Sequence, residues 1–158
     1  MTALVRRVSG LPLGRLLFAP VRRAVAPSLR LLVSGGARLE RETEERLEAL
    51  GWMVLSGYGL AETASLLTGN RPNAHRPGSA GRPIADGKVR IAHPDEQGIG
   101  EIELRGSSIT KGYLNNPEAN GAAFTADGWF RTGDLGFIDH DGFLFVTGRT
   151  KEVLVLGG

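Results

Sequence analysis

The chain has 158 residues, 41% of them hydrophobic, no cysteine and a formal net charge of +2. That length and apolar content suffice for one ordinary domain with a packed core. The absent cysteines exclude disulfides and thiolate metal sites and suit a reducing compartment, while 23 glycines, about twice the usual usage, imply many turns and close backbone approaches.

The first stretch is basic: Arg6, Arg7, Arg15, Arg22, Arg23, Arg30 and Arg38 all precede the first acidic residue, Glu40. Residues 1–28 read as a basic helical segment in which Leu16, Leu17, Val21 and Val25 form one side and Pro12 and Pro20 limit each helix. A core-facing stripe is the expected role of that side, with peripheral contact to an anionic membrane as the alternative. No recognition motif or aromatic–basic groove accompanies the charge, so nucleic acid is not an expected partner. No apolar run approaches the length of a bilayer span, and arginines interrupt Leu11 to Val25 where a signal peptide needs a clean apolar centre. The cytoplasm is the expected location.

Residues 29–77 read as an α/β unit. Leu29 to Val33 is a short buried strand, Ser34-Gly35-Gly36-Ala37 a turn, and Leu39 to Leu50 a helix with Leu39, Thr43, Leu47 and Leu50 on one face. Glu42 and Arg46 are spaced to pair across one turn, and Gly51 is placed to end the helix. Trp52 to Leu55 is the next strand, and strand, helix, strand in this order predicts a parallel pair. Residues 69–87, rich in Gly, Pro, Asn and Arg, read as surface loop.

Residues 78–158 read as mostly β. Lys88 to Ala92 and Glu101 to Arg105 alternate and predict an antiparallel hairpin; Phe143 to Val146 and Glu152 to Leu156 are further strands. Gly128-Trp129-Phe130-Arg131-Thr132-Gly133-Asp134 reads as glycine turns that present polar groups from loops. The apolar strand at Val153 to Leu156 is followed at once by Gly157-Gly158, an ending more typical of a truncated domain than of a native terminus.

Turns at the ends of parallel strands are where α/β proteins bind ligands, and two are present: Ser34 to Ala37 and Ser56 to Thr63. Neither matches the phosphate loop or the dinucleotide turn. Each candidate residue keeps two readings. Tyr58 is either an aromatic plate for a base or a strand-end packing residue. Glu62 either holds Mg²⁺ against phosphates or begins a helix, and Asp134 either accepts ribose hydroxyls or caps its own turn. Arg149 meets a phosphate or solvent, and Lys151 is a switch or a surface lysine. His75, His93 and His140 show no spacing that suggests a metal cluster or a nucleophile relay.

From about Leu29 to Gly158 the chain resembles the large domain of adenylate-forming enzymes, the superfamily of acyl-CoA synthetases, carrier-protein adenylation domains and luciferases. The matching pieces come in family order: Ser34 to Ala37, Gly57 to Thr63, Gly78-Ser79-Ala80-Gly81-Arg82-Pro83, Gly100 to Gly106, Lys111 to Pro117, Gly128 to Asp134 and Gly148-Arg149-Thr150-Lys151. The resemblance implies a fragment of an α/β large domain, with a partial parallel-sheet subdomain followed by a β-rich, distorted barrel-like subdomain. It implies a site for ATP or AMP formed by Gly36, Ala37, Gly57, Tyr58, Gly59, Ala61, Asp134 and Arg149. Tyr58 would stack on adenine, Asp134 would hold the ribose, Arg149 would contact ribose and phosphate, and Glu62 would coordinate Mg²⁺. Lys151 would be the hinge for a small C-terminal domain absent from this chain. Glu62, Arg149 and Lys151 are the implied catalytic residues.

The implied reaction is an AMP-forming acid–thiol ligation, in which a carboxylate and ATP give an acyl-adenylate that is captured by coenzyme A. Ser34 to Ala37, Tyr58 to Leu60 and Glu152 to Gly158 look most like fatty acyl-CoA synthetases, with a fatty acid as substrate. The fragment itself is expected to be inactive. An acyl-carrier-protein ligase and a non-catalytic nucleotide- or acyl-binding module are the alternatives. The latter is suggested by Ala61, which stands where the family usually has Thr or Ser before the motif glutamate.

Overall fold

The computed structural model describes residues 13–150. Two short helices, α1 (Leu13–Leu17) and α2 (Ala19–Val25), lead into β1 (Leu31–Ser34), α3 (Arg41–Ala49), β2 (Met53–Leu60), a 3₁₀ turn (Ala61–Thr63), β3 (Ser65–Gly69) and β4 (Arg82–Pro83). Then come β5 (Lys88–Ala92), β6 (Gly100–Arg105), α4 (Pro117–Ala123), β7 (Phe130–Ile138) and β8 (Leu144–Arg149). Strands β1 to β4 form one sheet in chain order and β5 to β8 form another.

The expected parallel pair is present: β1 lies beside β2 from Leu31↔Met53 to Ser34↔Ser56. Helix α3 makes the crossover, with Glu42 and Arg46 paired as their spacing predicts and Gly51, at φ +95°, ending it. The buried face differs from the expected one. Thr43 is exposed and Leu47 only half-buried, while Glu44 and Glu48 turn inward, because His75 and a backbone N–H meet those carboxylates there.

The expectation for Leu16, Leu17, Val21 and Val25 is overturned: all four are exposed. The helices dock instead through Gly14 and Arg15. A Cβ on Gly14 would lie 2.1 Å from the Ala49 carbonyl oxygen, and Arg15 backbone lies 2.8 Å from where one on Gly51 would stand. That close approach, with Arg22 over the Trp52 ring at 5.9 Å, turns the leucine side outward.

The β-rich part is an antiparallel meander. The predicted hairpin is there in register, Lys88↔Arg105 to Ala92↔Glu101. The glycine-turn reading of residues 128–134 is corrected: from Phe130 the chain is strand β7, paired with β6 on one side and β8 on the other. Gly136 serves that sheet, since a Cβ there would lie 2.3 Å from the Phe145 carbonyl oxygen.

The two sheets share one core, in which Leu67 of β3 packs with Ile102, Leu104 and Leu144. Backbone bonds join them as well, from Ala80 N–H to the Leu144 carbonyl and from Leu144 N–H to the Gly81 carbonyl. The segment read as surface loop is therefore partly interior. Asn70 and Ser79 are buried, and the Asn70 amide donates to the Ser56 and Ser79 carbonyls while accepting from Arg76 N–H and the Ser79 hydroxyl. Both amide donors and the amide oxygen are engaged, the single Ser79 hydroxyl proton being shared between Asn70 Oδ1 and the Arg76 carbonyl, which is what permits a polar segment to run inside. Residues 1–12 and 151–158, with the proposed hinge Lys151 and the strand expected over Glu152 to Leu156, lie outside the described residues.

Candidate functional site: a carboxylate at the floor of a cavity between the sheets

Strand β2 builds one wall. It runs parallel to β1 at first and then pairs antiparallel with β3, with a register shift between Tyr58 and Gly59. The sequence places a turn at Gly57-Tyr58-Gly59; the structure has strand, and its glycines are steric necessities. A Cβ on Gly59 would lie 1.8 Å from the Ser65 carbonyl oxygen, and one on Gly57 would lie 3.0 Å from both Leu66 and the Thr68 carbonyl oxygen. The tight pairing aims the Tyr58 side chain at β7.

Asp134 stands mid-strand in β7, opposite Arg149 of β8. Its side chain is only 5% exposed. One oxygen accepts the Tyr58 hydroxyl at 2.6 Å and the other accepts Arg149 Nε at 2.8 Å, and such charge-assisted bonds offset the cost of burial. The Thr132 hydroxyl fixes the backbone beneath, accepting from Asp134 N–H and donating to the Ile102 carbonyl. Burial, and then the bond to Asp134, push the Tyr58 phenol above its usual range, so it stays protonated and donating.

Around this carboxylate lies a cavity of about 540 Å³, lined by Gly36 to Leu39, Ser56 to Leu60, Gly78 to Ala80, Val146 to Arg149, Glu44 and Asp134. Gly36, at φ +79°, and Gly148 line this cavity, and nothing lies within 4 Å of a Cβ added to either. Their backbones are thus accessible to a ligand. Arg38 bridges the rim by donating to the Thr147 carbonyl. A volume of this order suits a nucleoside-sized ligand. Asp134 uses two acceptor positions of about four that a carboxylate offers, so two adjacent hydroxyls can still be received.

Apart from Lys151, which lies outside the described residues, the residues singled out in the sequence fall into two groups. Gly36, Ala37, Gly57, Tyr58, Gly59, Asp134 and Arg149 come together around one cavity. Ala61 and Glu62 do not line it; Glu62 follows in the 3₁₀ turn, where Oε1 accepts the Tyr113 hydroxyl at 2.9 Å. Among the described residues no cluster of three or more His, Cys, Asp or Glu side chains is arranged to hold a metal ion. Sequence reasoning assigned no ligand-binding role to the Gly78–Ala80 wall or to Val146 and Thr147. For Gly78 to Ala80 the Pro-Gly-Ser composition masked a buried wall.

The AMP-binding enzyme family matches residues 6–114. The chain belongs to that family. Among its relatives, the long-chain-fatty-acid–CoA ligase FadD15 of Mycobacterium bovis is 40% identical over 144 residues, covering 91% of this chain and 23% of the relative. The oxalate–CoA ligase of Arabidopsis thaliana is 42% identical over 142 residues, covering 84% and 27%. The solved structure of O-succinylbenzoate coenzyme A synthetase from Bacillus subtilis, in complex with ATP and magnesium ion, superposes with a TM-score of 0.73 at 31% identity, covering 91% of this chain and 32% of that one. The chain thus spans about a quarter of the length of the curated relatives it matches. The α/β unit followed by a β-rich subdomain is the large-domain architecture of this AMP-binding family.

Proposed function

We propose that this chain is the adenosine-holding part of an ATP-dependent acid–thiol ligase. The observation that carries the reading is the buried Asp134 carboxylate, held by Tyr58 and Arg149 at the floor of a nucleoside-sized cavity. In the reaction, an oxygen of the substrate carboxylate attacks the α-phosphorus of ATP and the bond to diphosphate breaks. The acyl-adenylate then passes its acyl group to the thiol of coenzyme A, releasing AMP. Asp134 receives the ribose hydroxyls, which fixes the α-phosphate in the cavity; alignment of this kind accounts for much of the rate in phosphoryl-type transfers. Tyr58 offers a ring for the base, and Gly36 and Gly148 leave room for ligand against bare backbone.

Glu62 is a single carboxylate outside the cavity lining, which fits a Mg²⁺ that arrives on phosphate oxygens and waters better than one caged by protein. That ion would neutralise phosphate charge. Lys151 is proposed as the hinge to a small domain, and the loop that grips the outer phosphates is assigned to sequence beyond these residues. ATP and coenzyme A are cytoplasmic co-substrates, and that compartment is the one proposed. No helix among the described residues is long and apolar enough to cross a membrane.

A fatty acid is the proposed acid, supported by the match to a long-chain ligase. Ala61 favours a second reading, a module that binds without turnover. Thr63, the nearest hydroxyl in the turn, is 1% exposed and committed to the Leu60 and Ser65 backbone, so it does not replace the missing hydroxyl. Exchange of labelled diphosphate into ATP, measured on the full-length protein with acids from oxalate to long-chain fatty acids, separates the two. Fatty-acid-dependent exchange is expected; binding of AMP without exchange for any acid would favour the module.

A further inference from the structure

The stretch Lys111 to Pro117, one of the pieces that come in family order, lines no part of the adenosine cavity, yet it reaches Glu62. The Tyr113 hydroxyl donates to Glu62 Oε1 at 2.9 Å, and Thr110 N–H donates to the Glu62 carbonyl at 2.7 Å. Within its own 3₁₀ turn Glu62 has backbone support, because Thr63 Oγ1 accepts Leu60 N–H and closes the turn. The side chain has no such support there. Ala61 carries no hydroxyl, and that of Thr63 is spent on the Leu60 and Ser65 carbonyls. Left alone, a glutamate at this place would keep its rotamer freedom.

Tyr113 is itself clamped. Asn120, on α4, accepts Tyr113 N–H at 2.6 Å and donates to the Tyr113 carbonyl at 3.0 Å. Gly112, at φ +139°, makes room for that amide, since a Cβ there would lie 2.8 Å from Asn120 Oδ1. Asn116 caps α4 by accepting Ala119 N–H, and beyond its last turn Phe124 meets Phe130 of β7 edge-on at 5.4 Å. Contacts thus run from the β-rich sheet through α4 and Tyr113 to the Glu62 carboxylate.

We infer that Tyr113 is a positioning residue for Mg²⁺: its hydroxyl holds the Glu62 carboxylate by one oxygen, in one orientation, for the cation that accompanies the phosphates of ATP. The inference rests on the reading of Glu62 as the Mg²⁺ carboxylate. A carboxylate offers about four acceptor positions, so one bond from a phenol leaves room for a cation. A neutral donor suits the role, because a lysine here would cancel the charge that attracts the metal, whereas a phenol orients the group and leaves its charge. Partners of this kind typically alter metal affinity roughly 10- to 100-fold. Tyr113 is 38% exposed, which puts its bond at the weak end of that range.

The test uses the full-length protein without acid substrate, so that ATP is bound and not consumed. Mn²⁺, which stands in for Mg²⁺ and reports its own binding by electron paramagnetic resonance, is titrated into ATP with protein in excess, for wild type, Tyr113→Phe, Glu62→Gln and the double variant. Adenosine affinity is measured beside it by calorimetry. Phenylalanine keeps the ring, and the Asn120 bonds are made by the backbone of residue 113, so the thermal melt is expected to hold. Half-saturating Mn²⁺ is expected to rise roughly tenfold in Tyr113→Phe with adenosine affinity unchanged. The double variant is expected to match Glu62→Gln alone, because the phenol acts only through that carboxylate. Mn²⁺ binding in Tyr113→Phe equal to wild type while Glu62→Gln weakens it, or two effects that simply add, would overturn the inference alone. Glu62→Gln without effect would overturn the Mg²⁺ reading of Glu62 and this inference while the adenosine reading stands. Absence of adenosine binding in the wild type would overturn that reading and this inference together.

Discussion

Replacing Asp134 by Asn keeps the shape of the side chain and removes its charge. In the structure one oxygen serves Tyr58 and the other serves Arg149, leaving about two acceptor positions for a ribose diol. Asparagine keeps one carbonyl oxygen and offers an NH₂ group where the second acceptor stood, so at least one charge-assisted bond to the diol is lost. At about 1.5–3 kcal/mol per bond, adenosine affinity should fall roughly 10- to 150-fold. The fold should survive. Tyr58 can still donate to the remaining oxygen, and the Arg149 side chain is 59% exposed, so the lost ion pair is strongly screened. Calorimetric titration with adenosine, beside a thermal melt of each protein, separates the two effects. An affinity within twofold of wild type in a folded Asp134→Asn protein would refute the assignment of Asp134 to the ribose.

Asn70→Ala removes a buried amide with four bonds and leaves the Ser79 carbonyl and Arg76 N–H to find other partners; it should cost about 3 kcal/mol, read as a lower urea midpoint at unchanged slope. Two glycine variants should behave oppositely. Gly81→Ala places a Cβ 1.9 Å from Gly69 backbone at φ +80°, so loss of the cooperative melt is expected. Gly36→Ala meets nothing within 4 Å and should cost about 1 kcal/mol of stability for its positive φ, while the added methyl at the cavity wall weakens adenosine binding. Equal melts for the two variants would contradict the glycine roles.

The hairpin β5–β6 was legible because its side chains alternate without interruption, and the β1–α3–β2 unit because strand, helix and Gly51 come in an unmistakable order. β7 was not. Gly128 and Gly133 resemble turn punctuation, while Gly136, two residues past that run, is glycine because β8 passes too close for a side chain. The same confusion hid the strand character of Gly57 and Gly59. Local patterns report a need for glycine without saying whether a turn or a neighbouring strand imposes it. The cavity residues around Tyr58 and Asp134 were reachable through the family's motifs, but their convergence depends on the packing of two sheets. Glu44 and Glu48 sit one helical turn apart in plain view, yet their partner His75 is distant in sequence and no local rule joins them. On α3 the apolar spacing pointed to Leu39, Thr43, Leu47 and Leu50, and tertiary pairing of the glutamates overrode it.

The central claim, that the cavity between the sheets holds the adenosine part of ATP, is tested most directly by a crystal structure of the protein with AMP. The account predicts the ribose hydroxyls on the Asp134 carboxylate, the base beside Tyr58 and the ligand against the bare backbone of Gly36. AMP found elsewhere, with Asp134 still contacting only Tyr58 and Arg149, would contradict it.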